Sequence, residues 1–509
     1  MTDINNSGKV LAEQDEWVEQ IDKTNQDTEN GTTIDVLRAK ELEKKLLRKI
    51  DTRILPFLVL IYVCNYLDRN SITQARLYGL QEDTHVKGAV YNTAISIFSA
   101  GYIAMQLPSS ILMTKVRPSL FLPGCMITWA IVSGCTAATN SPASLLIVRF
   151  ILGLVEAPFF PGAIYYLSCW YTKKELGIRM AFLVSGILLS NAFAGLISAG
   201  ILDGMTGVTR LASWRWLFIL EGLMTIVIAL GAIFSLPDYP ATTKWLSDEE
   251  KTIAQRRLIE DAGAEGMSEE EDSSWKKGLL LAVKDYRSWI FACLQMSVTA
   301  NISYSHFFPT LIKEIGFTDN MTVLLLTSPP YVFGFLWCIS LCFYADRVQK
   351  RSIPAATSIS MAMVATVILI AVPYSDQWVR YAFTFPLTGG AFGVYATTYT
   401  WLSSTLGQPR VKKAAAIGIA NTLANIASLY ANYFWLDKYE PTFQVSWGIL
   451  LAFECLALTC ILTLRYSLKR SNRKFDELSA RISTSDEAQI SVLKEVEQRA
   501  VVNGFRYVV

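Results

Sequence analysis

The sequence predicts an all-α membrane protein with twelve transmembrane helices in two six-helix halves. Three observations carry that reading: where the charges fall, how many apolar runs reach spanning length, and where the longest polar connection interrupts them. Of the 90 Lys, Arg, Asp and Glu residues, 56 lie within residues 1–53, 237–287 and 465–509. The remaining 360 positions are about 9% charged, far below the roughly 25% of an average soluble domain. A helix rises about 1.5 Å per residue and the hydrocarbon core is about 30 Å thick, so about 20 apolar residues cross it. Twelve such runs occur, near 54–75, 88–109, 119–138, 143–165, 178–202, 215–236, 288–309, 320–343, 354–374, 378–401, 413–435 and 443–464. The polar stretch 237–287 divides them six and six, as expected when two helical halves rock about a central site.

Before the first span lies a polar tail, residues 1–50. Within it Ala39, Leu42, Leu46 and Ile50 stand at helical spacing beside Lys and Arg, which predicts an amphipathic helix near 34–50 lying at the inner membrane surface. No short apolar core with a cleavage site precedes the first span, so that span itself is expected to direct insertion. The first half then runs over 51–236. Connections on one side of the bilayer carry Lys44, Lys45, Arg48, Lys49, Lys115, Arg117, Lys173, Lys174, Arg179, Arg347, Lys350, Arg351, Arg410, Lys412 and Lys413, and the opposite side carries far fewer cations. Positive charge is retained on the cytoplasmic side, which places both termini and the 237–287 loop there. In that loop Ser247 and Glu250 form a capping box that starts a short helix through Leu258. The second half covers 288–465, and 466–509 is a cytoplasmic tail.

Composition excludes several classes of function. The formal net charge of +2 gives no broad basic field for nucleic acid, and the nine cysteines lack metal-ligand spacing and read as reduced packing residues. There is no cofactor loop and no nucleophile with a base, so neither an enzyme nor a bound cofactor is expected. Lipid is the expected surroundings and a monomer the expected state.

Ionisable residues inside spans are costly and point to function. The first half holds Asp68 and Arg69 on span 1, Arg149 and Glu156 on span 4, and Glu221 on span 6. The second holds His306 on span 7 and Glu454 on span 12. Arg149 and Glu156 share a helix face but stand about 10 Å apart along the axis, so a tight pair between them is disfavoured. Asp68, Arg69 and Arg149 are placed at one level, with Glu156 slightly below the midplane. A carboxylate with a retractable arginine suits proton coupling, because changing its surroundings loads or releases the proton; a fixed ion pair between spans 1 and 4 is the alternative. Glu221, beside the aromatic run Trp214–Phe218, reads as an anchor, and Glu454 as a satisfied interhelical contact or a neighbour of an outer cavity.

The run Asn65-Tyr-Leu-Asp68-Arg69, the segment Arg149-Phe-Ile-Leu-Gly153-Leu-Val-Glu156-Ala-Pro-Phe-Phe-Pro161-Gly162, Trp214-Arg-Trp-Leu-Phe-Ile-Leu-Glu221-Gly222 and Leu236-Pro-Asp-Tyr-Pro240 resemble the anion:cation symporter family of the major facilitator superfamily. Pro329-Pro-Tyr331, Asp346-Arg347, Arg351 and Trp401 add to the likeness, which covers about 50–470 and is greatest to the fungal allantoate permease branch. The resemblance implies the major facilitator fold, plasma-membrane location, and proton-coupled uptake of anions such as allantoate, nicotinate, pantothenate, biotin or sulfur-containing acids. It implies that Asp68 and Glu156 take protons while Arg69 and Arg149 answer to protonation and to the anion. The loop between spans 2 and 3 lacks the usual gate aspartate, so the cytoplasmic gate is expected to rest on Asp346, Arg347 and Arg351.

Sites of this kind lie near the midplane between the halves. The second half offers Asn301, Ser303, Tyr304 and His306 on span 7, Tyr331 on span 8, Tyr395, Thr398 and Tyr399 on span 10, and Asn421 and Asn425 on span 11. Any of these could instead be interhelical packing. The expected activity is import of a small organic anion, a carboxylate or sulfonate, by proton symport with alternating access. A non-transporting nutrient receptor on the same scaffold, or an anion exchanger without proton coupling, is the alternative.

Overall fold

The computed structural model describes residues 33–484 apart from 87, 114–115, 209, 244, 267–274, 349, 374 and 407–409, and their regular structure is helical throughout. The first half comprises α1 (Thr33–Arg76), the short α2 (Leu80–Asp83), α3 (Ala89–Met113), α4 (Pro118–Cys135), α5 (Pro142–Glu156), α6 (Phe159–Ser168), α7 (Lys173–Gly204) and α8 (Ser213–Ser235). The central connection holds α9 (Asp248–Gly266) and α10 (Trp275–Lys284). The second half follows as α11 (Tyr286–Ile302), α12 (Phe308–Glu314), α13 (Asn320–Val348), α14 (Ser352–Ala371), α15 (Gln377–Thr405), α16 (Arg410–Tyr430) and α17 (Gln444–Thr484). Each predicted span coincides in the main with one of these helices or, for the fourth and seventh, with two in succession.

Among the described residues, eight helices are long and apolar enough by composition to cross a membrane. The second, seventh, tenth and eleventh spans are not among them: α11 is only 17 residues long before the chain tightens, and these four helices carry inward polar groups, Asn92 and Ser96 on α3, Gln295 and Asn301 on α11, Thr384, Thr388, Thr397 and Thr398 on α15, and the cavity-lining Asn421 and Asn425 on α16. A helix lining an internal polar space gives up hydropathy on that face.

Three features depart from the sequence reading. The fourth span breaks after Glu156, because Pro158 has no N–H to continue the ladder, and resumes as α6. The seventh span tightens into a 3₁₀ turn at Ser303–Phe307, just ahead of Pro309, before resuming as α12. The expected surface helix near 34–50 is not separate: it is the first part of the unbroken α1. Leu46, Ile50, Ile54, Leu58 and Ile61 recur every three or four residues and are all buried, so one apolar stripe continues from it into the span.

That end of α1 packs on the central connection. Lys49 Nζ pairs with Glu250 Oε2 at 2.6 Å, Arg53 lies over the Trp245 ring at 4.4 Å, and Arg257 reaches Glu175 at 2.9 Å and Glu43 at 3.5 Å. The capping box forms, Ser247 N donating to Glu250 Oε2 and Glu250 N to Ser247 Oγ, and α9 runs past Leu258 to Gly266. By contrast α10 packs on α16, beside the Lys412–Asp285 pair at 2.6 Å. The two helices of the connection therefore belong to different halves. Asp238, in the Leu236-Pro-Asp-Tyr-Pro240 run, accepts from the hydroxyl of Ser119 at the start of α4.

Backbones touch where glycine allows it. A Cβ on Gly153 of α5 would stand 2.1 Å from Phe98 O on α3, and one on Gly101 of α3 would stand 2.3 Å from Phe150 O on α5. Between the halves α7 meets α13, where a Cβ on Gly195 would fall 2.4 Å from Leu324 O.

Candidate functional site

A cavity of about 170 Å³ lies between the halves. The proline break after Glu156 and the 3₁₀ turn of the seventh span both sit beside it, and discontinuous helices of this kind are where carriers build solute sites. A larger groove of about 520 Å³ between α1, α7 and α8 is lined by apolar side chains alone, with Leu60, Phe182 and Phe193 exposed. Its chemistry is that of a lipid-facing crevice, and the charged residues gather at the smaller cavity.

Arg69 projects from α1 to the cavity wall. Its Nη2 donates to Glu156 Oε2 at 3.0 Å, and Asn65, one turn earlier, donates to the same oxygen at 3.0 Å while its Oδ1 accepts from Arg69 at 3.4 Å. The rings of Tyr66, Phe98 and Tyr102 stand 4.6–5.2 Å from the guanidinium carbon. Such rings favour a cation by their quadrupole and fix its plane. The ion pair tying span 1 to span 4 is thus Arg69–Glu156.

Asp68, the next residue back, points the other way. It is fully buried, and its oxygens accept from Ser133 Oγ on α4 at 3.2 Å and Thr225 Oγ1 on α8 at 3.5 Å. Neither Asp68 nor Glu156 lines the cavity: Glu156 sits behind Arg69, and Asp68 faces α4 and α8. Glu221 accepts from the hydroxyl of Ser71 and is buried on α8, so it belongs to the interior and not to the interfacial aromatic anchor expected for it.

Arg149 has a different environment. It is 1% exposed and lines the cavity; the Phe218 ring lies 5.7 Å from its guanidinium, and its Nε and Nη2 find no hydrogen-bond partner among the described residues. A buried guanidinium with vacant donors is poised for an anion, since an unsatisfied buried charge is costly.

Of the second-half candidates, Ser303, His306, Tyr395, Asn421 and Asn425 line the cavity. Asn301, Tyr304, Tyr331, Thr398 and Tyr399 lie behind the wall. Asn301 donates to Glu454, Tyr304 to Thr388, Thr398 to its own helix at Val394 O, and Tyr399 to Asn421, while Tyr331 packs edge-on against Phe308 and Phe392. Asn425 crosses the halves, donating to Gln106 at 3.3 Å. The sequence reading missed the first half's share of the wall: Tyr62, Tyr66, Asn70, Tyr102, Gln106 and Asn191. Tyr62, Tyr66 and Asn70 recur every fourth residue and announce one polar-aromatic face of α1. Of the expected gate, Arg347 is exposed at the end of α13 and Arg351 precedes α14; the side chain of Asp346 lies outside the described residues.

Bonds between the halves gather at the end of the bundle opposite the start of α1 and the end of α17. Arg76 Nη2 reaches Asp437 at 3.0 Å and Glu440 at 3.3 Å, and Asp437 also accepts from Gly88 N at 3.1 Å. Asn92 donates to the carbonyls of Asn432 and Trp435, Asn432 to Ser96, and Asn320 to Leu77 O.

Residues 58–432 match the family described as Major Facilitator Superfamily. The chain is 32% identical over 411 residues to the MFS transporter prlL of Fungal sp. (strain NRRL 50135), covering 79% of this chain and 81% of that protein. It is 31% identical over 445 residues to the MFS-type transporter cnsO of Penicillium expansum, covering 85% and 84%. Its fold is similar to the crystal structure of a bacterial homologue of the human lysosomal transporter Spinster in an inward-facing, occupied conformation. The TM-score is 0.63 at 12% identity, over 82% of this chain and 97% of that one.

Proposed function

Since the chain belongs to the Major Facilitator Superfamily of membrane transporters, we propose that it imports a small organic anion, a carboxylate or sulfonate, by proton symport with alternating access. The observation that carries the reading is Arg149: a cavity-lining guanidinium whose Nε and Nη2 have no hydrogen-bond partner among the described residues, in the same cavity wall as an arginine already matched by Glu156. An anion entering the cavity completes Arg149. A proton on Glu156 frees Arg69 from its ion pair, so that a second cation turns to the anion and the two species travel together. Loss of that proton restores the Arg69–Glu156 pair and releases the solute. Asp68, held by hydroxyl donors, is the second proton-accepting group.

With the termini in the cytosol, as the loop cations favour, the end joined by Arg76 faces outside and the state described is closed there. The anion:cation symporter family, and its allantoate permease branch in the plasma membrane, is the subfamily the motifs favour, with nicotinate, allantoate, pantothenate and related vitamins or nitrogen and sulfur sources as the solutes to test.

The test is external pH recorded on cells overexpressing the protein while nicotinate, allantoate, pantothenate, biotin and a small sulfonate are added in turn. One compound should give an alkaline transient that Glu156→Gln abolishes and Arg149→Ala weakens by at least about tenfold in half-saturating concentration. An unchanged transient in Glu156→Gln removes that residue from proton coupling. Silence across the panel, with the protein at the surface, followed by counterflow of none of these compounds in vesicles, overturns them as solutes and leaves an untested anion or a non-transporting receptor; counterflow without a pH transient would show exchange without proton coupling.

A further inference from the structure

Glu454 is a buried acid that the mechanism above does not use. It lies on α17 with no exposed surface, and the donors that reach it are neutral: Asn301 Nδ2 on α11 at 2.7 Å and Thr366 Oγ1 on α14 at 3.0 Å, both to Oε1. Two atoms of this junction lack hydrogen-bond partners among the described residues, Glu454 Oε2 and Asn301 Oδ1. They are the complementary atoms of the same carboxyl–carboxamide pair. With the acid ionised both atoms are acceptors and neither can satisfy the other. A proton on Oε2 supplies the donor this pair lacks, and with Asn301 Nδ2–H already on Oε1 the carboxyl and carboxamide can close a two-bond ring through Oε2–H to Asn301 Oδ1.

The first half holds the charged counterpart of this arrangement. Asn65 donates to Glu156 as Asn301 does to Glu454, but there the amide oxygen is taken by Arg69, which also pairs with the carboxylate. At Glu454 no arginine or lysine forms an ion pair among the described residues, and the titratable neighbour is the Tyr304 phenol, itself donating to Thr388. An isolated buried carboxylate is far costlier than the acid, whereas one matched by a guanidinium is tolerated.

We infer that Glu454 is a positioning residue held as a neutral carboxylic acid, which fixes Asn301 and with it the 3₁₀ turn carrying Ser303 and His306 to the cavity wall. Asn301 is two residues before Ser303, which accepts from Trp435 Nε1 at 3.1 Å on the adjoining 3₁₀ segment Ala431–Phe434 and its cap. Ring closure at Glu454 thus sets the register of the seventh span where the solute meets it. The solute assay rests on the transport reading above; the spectroscopic assay does not.

In the infrared spectrum of the purified full chain, the difference between wild type and Glu454→Gln should contain a protonated carboxylic C=O band that persists from about pH 5 to about pH 9. A carboxylate band there instead overturns the inference, whatever the protein carries. In transport, Glu454→Gln, the isostere of the acid, should keep half-saturation and pH profile within about twofold. Asn301→Ala and Glu454→Ala should each raise half-saturation at least about fivefold, and the double variant no further. A pH profile displaced in Glu454→Gln would make Glu454 a proton carrier and overturn the positioning role. If the alanine variants fail to fold, the infrared band and the glutamine variant decide the matter alone.

Discussion

Two neighbouring residues on one helix, Asp68 and Arg69, have opposite surroundings because successive helical side chains point about 100° apart. Arg69 reaches the cavity and Glu156, while Asp68 turns to hydroxyls on α4 and α8. The arrangement sets a specific expectation for the pair. Arg69→Ala leaves the Glu156 carboxylate, which has no exposed side-chain surface, without its cation. It should lower stability in detergent by about 3–5 kcal/mol, and adding Glu156→Gln should return most of that loss, because the remaining group is then neutral. Thermal unfolding of the four proteins in the cycle measures it; equal losses in Arg69→Ala with and without Glu156→Gln would show that the pair is not coupled. The ionisable residues themselves were legible in the sequence, because few residue types survive at such positions without a role. Their partners were not: depth along the helix axis placed Asp68, Arg69 and Arg149 at one level, but which of them meets Glu156 depends on side-chain direction and on the proline break.

At the level of elements, span number and order followed from apolar run length, and the capping box gave the start of α9. The interruptions of the fourth and seventh spans were written in Pro158 and Pro309, yet a hydropathy average over about 20 residues is little moved by one proline and reads through it. The surface helix was misjudged for a related reason: amphipathic spacing shows that a stripe is buried, not whether lipid or protein covers it. Here Leu46 and Ile50 are covered by the protein's own core. The docking of α9 on α1 depends on charge. Burial pushes the Glu250 carboxyl up, but the Lys49 ammonium, the Ser247 N–H and Arg53 outweigh it and hold it below the ordinary value. A depressed folded value means that the contribution is present above the unfolded pKa, near 4.3, and is lost as pH falls through the lower folded value. Hydrogen exchange of 248–258 should therefore quicken only in strongly acidic buffer, and in Lys49→Ala should already be fast at neutral pH; identical exchange in both proteins would remove the ion pair from the docking. The contact of α3 with α5 depends on shape instead. Gly153→Val places a branched side chain where a Cβ alone would stand 2.1 Å from Phe98 O. Forcing the helices apart should cost about 1–3 kcal/mol and displace Arg149 and Glu156, so the variant should both melt earlier and bind solute less tightly. Wild-type melting would mean that α3 and α5 separate at no cost.

Across the whole molecule, the halves are linked far from the predicted cytoplasmic gate. Arg76 and Asp437 stand at span ends, where a charge in the sequence looks like an ordinary solvated residue, and no local pattern joins positions 361 apart. Only the folded chain brings Arg76, 9% exposed, onto Asp437 and Glu440, with the Tyr91 ring 4.8 Å from its guanidinium. Behind this latch Ser96 and Asn432 are buried and hydrogen-bonded across the halves. If the halves rock about the cavity, the latch must part for the solute to enter from that end, and its strength weights the two ends of the cycle. An ion pair so placed is worth about 1 kcal/mol, which corresponds to roughly fivefold in the opening equilibrium. In the proposed orientation, a cysteine placed at Ser96 should react with a membrane-impermeant maleimide about fivefold faster in Arg76→Ala than in the intact latch, above the background of the native cysteines. Combining Arg76→Asp with Asp437→Arg should restore protection, because a pair of reversed sign closes the same gap. Equal labelling in all three proteins would assign the closure of this end to the Asn92, Asn320 and Asn432 bonds, and would leave Arg76 with a role in packing on Tyr91 alone.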